Sequence, residues 1–131
     1  MIFSVDLDTS SKVQLIKTLW KAVRLDLHVL EVRLSPSGYG YHIILDAPTN
    51  DPVQILCLRA LLDDDPYRLR FSLKKFALGQ RIDILFDEKN GMKARPIKLD
   101  VDLSRLRKMT LEEVMRLAEK VNIPSRTLWL T

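Results

Sequence analysis

The stretch "SPSGYGYHIIL", residues 35–45, decides how this chain is read. Pro36-Ser37-Gly38 carries turn chemistry, with proline presetting one backbone angle and glycine tolerating the left-handed region. Gly38, Tyr39, Gly40 and Tyr41 then lead into "HIIL", so the segment reads as a hairpin loop and its returning strand. The incoming run "LHVLEVRL" alternates, with His28, Leu30, Val32 and Leu34 facing one way and Val29, Glu31, Arg33 and Ser35 the other. On the returning strand "YHIILDA", Tyr41, Ile43 and Leu45 share the buried face. His42 and Ile44 point opposite.

Working outward, Phe3, Val5 and Leu7 alternate with Ser4, Asp6 and Asp8, which predicts a first strand over 2–8. "DTSS" supplies helix caps, and Val13, Ile16, Leu19, Trp20 and Val23 recur at helical spacing from about Ser10 to about Leu25. Asn50 or Asp51 followed by Pro52 starts a second helix. The stretch "YRLRFSLKKFALG" fits both periods and is read as a short helix ended by Gly79. "RIDILFDEKNG" is a strand with Ile82, Ile84 and Phe86 on one side and Asp83, Leu85 and Asp87 on the other. "PIKLDVDL" is read as a fifth strand whose Asp100 and Asp102 lie on an exposed edge. "TLEEVMRLAEKV" opens with the capping box Thr110 to Glu113.

The expected fold is therefore α+β: a ferredoxin-like, RRM-like βαββαβ sandwich over 1–90, with a strand–helix extension over 91–131, all in one domain. In that topology the strands run 4-1-3-2, with the first strand central. Length agrees, since 131 residues suit one core.

Composition narrows the function classes. The formal net charge is +4, which permits DNA or RNA as a partner without requiring it. No apolar stretch is long enough to span a bilayer and "MIFSVDLD" reads as a strand, so a cytoplasmic protein without a membrane role is expected. The single cysteine, Cys57, forms no internal disulfide. It lies in "VQILCLRALL", where it reads as a buried thiol, and it excludes a Cys-rich zinc site. Three Asn and three Gln against 21 Lys+Arg and 17 Asp+Glu accord with a heat-adapted source.

Parity turns the fold into a site. If Phe3, Val5 and Leu7 face the helices, Asp6 and Asp8 face away, as do His42 on the third strand and Asp83 on the fourth. Strands about 4.8 Å apart bring these groups within reach of one ion. Adjacent carboxylates repel unless a cation neutralises them, and Mg²⁺ or Mn²⁺ suits oxygen ligands. Such an arrangement serves phosphoryl or nucleotidyl transfer. A second group, Arg68, Arg70, Lys74, Lys75 and Arg81, is interleaved with Tyr67 and Phe71 and suits a nucleic-acid backbone; Tyr39 in the turn suits base stacking. Apolar Val29, Ile44 and Leu85 on the same sheet face would instead suit a homodimer.

"FSVDLD" followed by "SPSGYGYHIIL" resembles the first two motifs of the archaeo-eukaryotic primase superfamily, a strand ending in Asp-x-Asp and then Ser-Gly-x-Gly-Tyr-His leading a strand. The resemblance covers residues 2–88. It implies an RRM-like palm in minimal or degenerate form, of the kind expected in archaeal viruses or plasmids. It implies Asp6 and Asp8 as ligands of a catalytic divalent metal, and Ser37, Gly38 and His42 as the element contacting the phosphates of a nucleoside triphosphate. For the third acidic motif it offers two positions: Asp83 in "RIDILF", and Asp65 or a neighbour in "DDDPYRLRFSL". The expected function is a nucleic-acid-associated replication protein, as a metal-dependent nucleotidyltransferase or a catalytically degenerate derivative. The alternatives are a small ferredoxin-like metal nuclease and a non-catalytic binding or dimerisation module.

Overall fold

Alternation over residues 2–7 produces the strand β1 (Ile2–Leu7), with Phe3, Val5 and Leu7 at most 1% exposed. The computed structural model describes residues 1–35, 39–80, 88–89, 92–93 and 95–123. β1 is followed by α1 (Lys12–Arg24), β2 (His28–Leu34), β3 (Tyr41–Asp46), α2 (Pro52–Leu61) and α3 (Pro66–Ala77). The two-residue strands β4 (Glu88–Lys89), β5 (Met92–Lys93) and β6 (Arg95–Pro96) come next, and then α4 (Leu103–Leu106) and α5 (Leu111–Lys120). The fold class is α+β.

The caps act where the sequence places them. The Ser11 side chain accepts from the Gln14 N–H, and that of Asp51 from the Val53 N–H with Pro52 at the first helical position. Thr110 and Glu113 form the reciprocal capping box of α5. Each removes an orphan backbone donor, worth roughly 0.5–2 kcal/mol. The ambiguous stretch is helical as α3, and Gly79 beyond it takes the left-handed φ of +72° that ends a helix.

β1, β3 and β2 form an antiparallel sheet in that order, and β6 adds a two-residue pairing outside β2. α1 lays Leu15, Ile16, Leu19 and Ala22 on the sheet, where they join Phe3, Val5, Leu7, Val32, Leu34, Tyr41, Ile43 and Leu45 in one core. α5 closes over α1 through Val114 and Ala118, and the Trp20 indole N–H donates to the Met109 carbonyl at 3.0 Å. Lys12 donates to the Glu119 carbonyl beyond. Among the described residues, no helix is long and apolar enough to cross a membrane.

Three expectations change. β2 carries a bulge between Val29 and Glu31, so the alternation changes phase there: Val29 packs against the core and Leu30 is 47% exposed. One extra residue reverses every side chain before it, so His28 is exposed as well. Cys57 is exposed, because α2 turns Ile55, Leu56 and Arg59 inward and leaves Cys57 on the other side. The fifth strand shrinks to Arg95–Pro96, and Asp102 caps α4 instead of lining a strand. Hydrogen bonds from the Ser104 hydroxyl and N–H hold the Asp102 carboxyl below its ordinary range.

On the outer edge of β1, where the expected order sets the fourth strand, the Ser4 carbonyl accepts from Arg68 at 3.0 Å, the Asp6 N–H donates to Asp64 Oδ1 at 2.7 Å, and the Asp6 carbonyl accepts from the Asp65 N–H at 2.7 Å. The turn between α2 and α3 thus satisfies these backbone groups of Ser4 and Asp6. The strand expected over 82–87, with Leu85, lies outside the described residues.

Candidate functional site

The register of β1 on β3 pairs Asp6 with His42, and that of β2 on β3 pairs Arg33 with His42. Their chain neighbours Val5, Leu7, Tyr41, Ile43, Val32 and Leu34 all lie in the core, so Asp6, His42 and Arg33 form a row on the sheet face opposite α1. His42 Nε2 is 3.3 Å from Asp6 Oδ1. On the other side of His42, Arg33 holds Glu31 through Nε at 3.0 Å and Nη2 at 2.8 Å, both to Oε2. Arg33 and Glu31 are site neighbours that the motifs did not single out, although the alternation of β2 had already placed them on this face.

The face is less open than a bare sheet. Ser4, His42 and Ile44 are 5%, 7% and 8% exposed, while the Asp6 side chain keeps 26% of its surface. Part of the cover is Arg68, which leans from α3 to donate to the Ser4 hydroxyl at 2.7 Å. With Ile44 buried and Val29 turned to the core, the apolar patch expected on this face is not formed by those two residues.

The hairpin is fastened at both ends. Ser35 and Gly40 exchange bonds, the Ser35 N–H to the Gly40 carbonyl at 2.9 Å and the Gly40 N–H to the Ser35 hydroxyl at 3.1 Å. Gly40 passes so close to β1 that a Cβ there would stand 2.4 Å from the Leu7 carbonyl oxygen. Only glycine fits such an approach. Next to it, the Tyr41 hydroxyl donates to the Ser10 carbonyl at 3.1 Å and ties down the loop that carries Asp8. Burial pushes the Tyr41 phenol up.

Behind Asp6 sits a buried charge cluster invisible to motif reading. Asp64, with a fully buried side chain, accepts from Arg59 Nε at 2.7 Å, from Arg68 Nη1 at 3.0 and 3.1 Å, and from the Asp6 N–H. Arg59, 1% exposed, also donates to the Ser72 hydroxyl at 2.9 Å. The run Asp63-Asp64-Asp65 divides three tasks among three identical residues. Asp63, at φ 63°, binds Lys21 and Gln14; Asp64 holds the arginines; Asp65 caps α3 through the Tyr67 N–H. A clue lay in the sequence, because one Asp suffices to cap a helix that begins with Pro66.

The sequence candidates therefore separate. Asp6 and His42 are brought together. Asp8 lies one residue past β1 and is exposed. Asp64 and Asp65, the alternatives for the third acid, are engaged in the arginine cluster and the helix cap. Arg68 points inward to Ser4 and Asp64, not toward a bound strand. Arg70 and Lys74 are exposed, Tyr39 is 60% exposed, and Lys75 lies 5.3 Å over the Phe71 ring. Ser37, Gly38, Arg81 and Asp83 lie outside the described residues. Among the described residues, no group of three or more His, Cys, Asp or Glu side chains is arranged to hold a metal ion. No family model, curated protein or solved structure matches the chain.

Proposed function

We propose that this chain is a nucleic-acid-associated protein built on a primase-palm-like, RRM-like module, which binds the phosphates of a nucleoside triphosphate with Mg²⁺ or Mn²⁺ at Asp6, Asp8 and His42. The observation that carries the reading is the 3.3 Å contact of His42 Nε2 with Asp6 Oδ1, on paired positions of adjacent strands. The order β1–β3–β2 supports it, because three adjacent strands of a ferredoxin-like sheet follow that order.

The donors suit the ion. Mg²⁺ takes one or two carboxylates and fills its remaining positions with water and substrate phosphate, so Asp6 and Asp8 are a sufficient protein contribution. When bound, the cation neutralises phosphate charge. The protein's own part is positional. Asp6 Oδ1, 3.3 Å from Nε2, orients the His42 ring beside the phosphates, and the Ser35–Gly40 closure holds the hairpin next to it. The Asp64 cluster holds Asp6 from behind through its backbone N–H.

The test is titration of Mn²⁺ and of nucleoside triphosphate by calorimetry, on the wild type beside Asp6→Ala and His42→Ala. Saturable binding by the wild type, with metal and nucleotide lost in Asp6→Ala and nucleotide weakened at least tenfold in His42→Ala, supports the reading. Absence of both from the wild type refutes it. Metal-dependent oligonucleotide cleavage without nucleotide binding would replace it with a nuclease.

A further inference from the structure

The outward face of α3 carries a stripe that the sheet site does not use. Tyr67, Arg70, Phe71, Lys74 and Leu78 stand at i, i+3, i+4, i+7 and i+11, which places them on one side of the helix. The opposite side holds Ser72, the buried residue of α3, and Arg68, which fastens the helix to β1. Along the stripe, Tyr67 is 79% exposed, Phe71 62% and Leu78 74%. Two aromatic rings one turn apart in water are unusual, because burying either would remove a large apolar surface from solvent.

Charge decides what covers them. α3 contains Arg68, Arg70, Lys74 and Lys75 and no acidic residue. Among the described residues neither Arg70 nor Lys74 has an ion-pair partner. A second copy presenting the same stripe would set like charges face to face, so the partner must be anionic. It must also offer flat apolar surface to the rings. A single-stranded nucleic acid combines the two, with bases to stack on Tyr67 and Phe71 and phosphates to meet Arg70 and Lys74. Paired bases inside a duplex are stacked on each other and leave no face for the rings.

We propose that the outward face of α3, through Tyr67, Arg70, Phe71 and Lys74, is a binding surface for single-stranded nucleic acid. The stripe runs roughly 16 Å from Tyr67 to Leu78, long enough to engage several nucleotides. The proposal deepens the nucleic-acid part of the function above and does not depend on the Asp6–His42 site, so the two can fail separately.

The experiment is fluorescence anisotropy with a labelled 20-nucleotide oligo(dT), an oligo(U) of equal length and a 20-base-pair duplex, over a series of salt concentrations. The proteins are the wild type, Tyr67→Ala/Phe71→Ala, Tyr67→Phe and Arg70→Gln/Lys74→Gln, each checked by thermal melting. Loss of one stacking ring corresponds to roughly 5- to 150-fold in affinity. The double aromatic variant is therefore expected to bind single strands at least tenfold more weakly with the salt slope unchanged, while Tyr67→Phe keeps its affinity. The charge variant is expected to flatten the slope by about 1.4, since each phosphate that goes unneutralised takes about 0.7 from it. Equal affinity for duplex and single strand, or a folded aromatic variant that binds as the wild type does, overturns the proposal. So does a protein dimer that dissociates in the aromatic variant and binds no oligonucleotide.

Discussion

Replacing Asp64 by Asn changes one atom's chemistry in a buried charge cluster. The carboxylate has no exposed surface, and its two oxygens receive two bonds from Arg68, one from Arg59 and one from the Asp6 N–H, all between 2.7 and 3.1 Å. Asn keeps the shape but loses the charge, and turns an N–H₂ donor toward groups that are themselves donors. Arg59, 1% exposed, cannot reach water to compensate. Removing one partner of a buried ion pair costs about 3–5 kcal/mol, against a total stability of roughly 5–15 kcal/mol for a domain. With a urea dependence of about 2 kcal/mol per molar, the midpoint of urea unfolding should fall by about 2 M at unchanged slope. Ser72→Ala removes only the hydroxyl that receives Arg59 Nη1 and should cost less, about 1.5–3 kcal/mol. Unfolding followed by fluorescence of the two tryptophans gives both midpoints. A fall of less than about 0.5 M for Asp64→Asn, or a larger loss for Ser72→Ala, would refute the claim that this cluster fastens the α2–α3 hairpin to β1.

Two further outcomes follow from the hairpin. Gly40→Ala drives a methyl group into the Leu7 carbonyl oxygen, so strands β1 and β3 must separate locally. A loss of about 1–3 kcal/mol, seen as a melting temperature lowered by roughly 5–10 °C, is expected, and an unchanged melt would refute the close approach. Tyr41 has its phenol raised by burial. Below pH about 10 the phenol is neutral in both states, whereas above it the unfolded chain ionises first, so stability falls as pH rises through the folded value. Tyr41→Phe should be less stable near neutral pH, without the bond to Ser10, and lose less between pH 9 and about 11. Parallel stability curves for the two proteins would show that the phenol is solvated.

Local patterns wrote much of this protein in advance. Strict alternation in "FSVDLD" and "YHIIL" put Phe3, Val5, Leu7, Tyr41, Ile43 and Leu45 in the core, and the same parity placed Asp6 and His42 on one face before any coordinate. Capping residues set the starts of α1, α2 and α5. These signals are local, because a strand has period two and a helix end has unsatisfied N–H groups whatever the rest of the chain does.

Tertiary structure decided the rest. The bulge at Leu30 is silent in the sequence, since "HVLEV" keeps enough apolar residues for either phase, and only pairing with β3 selects one. Arg59 is buried in α2 because Asp64 and Ser72, distant in the helix pattern, supply its partners. Arg68 read as a basic surface residue and proved to be a bolt on β1, while Tyr67 and Phe71 stand in water. A lone sequence shows which groups need partners. Which partner arrives depends on contacts between segments as far apart as Ser4 and Arg68, where local periodicity carries no information.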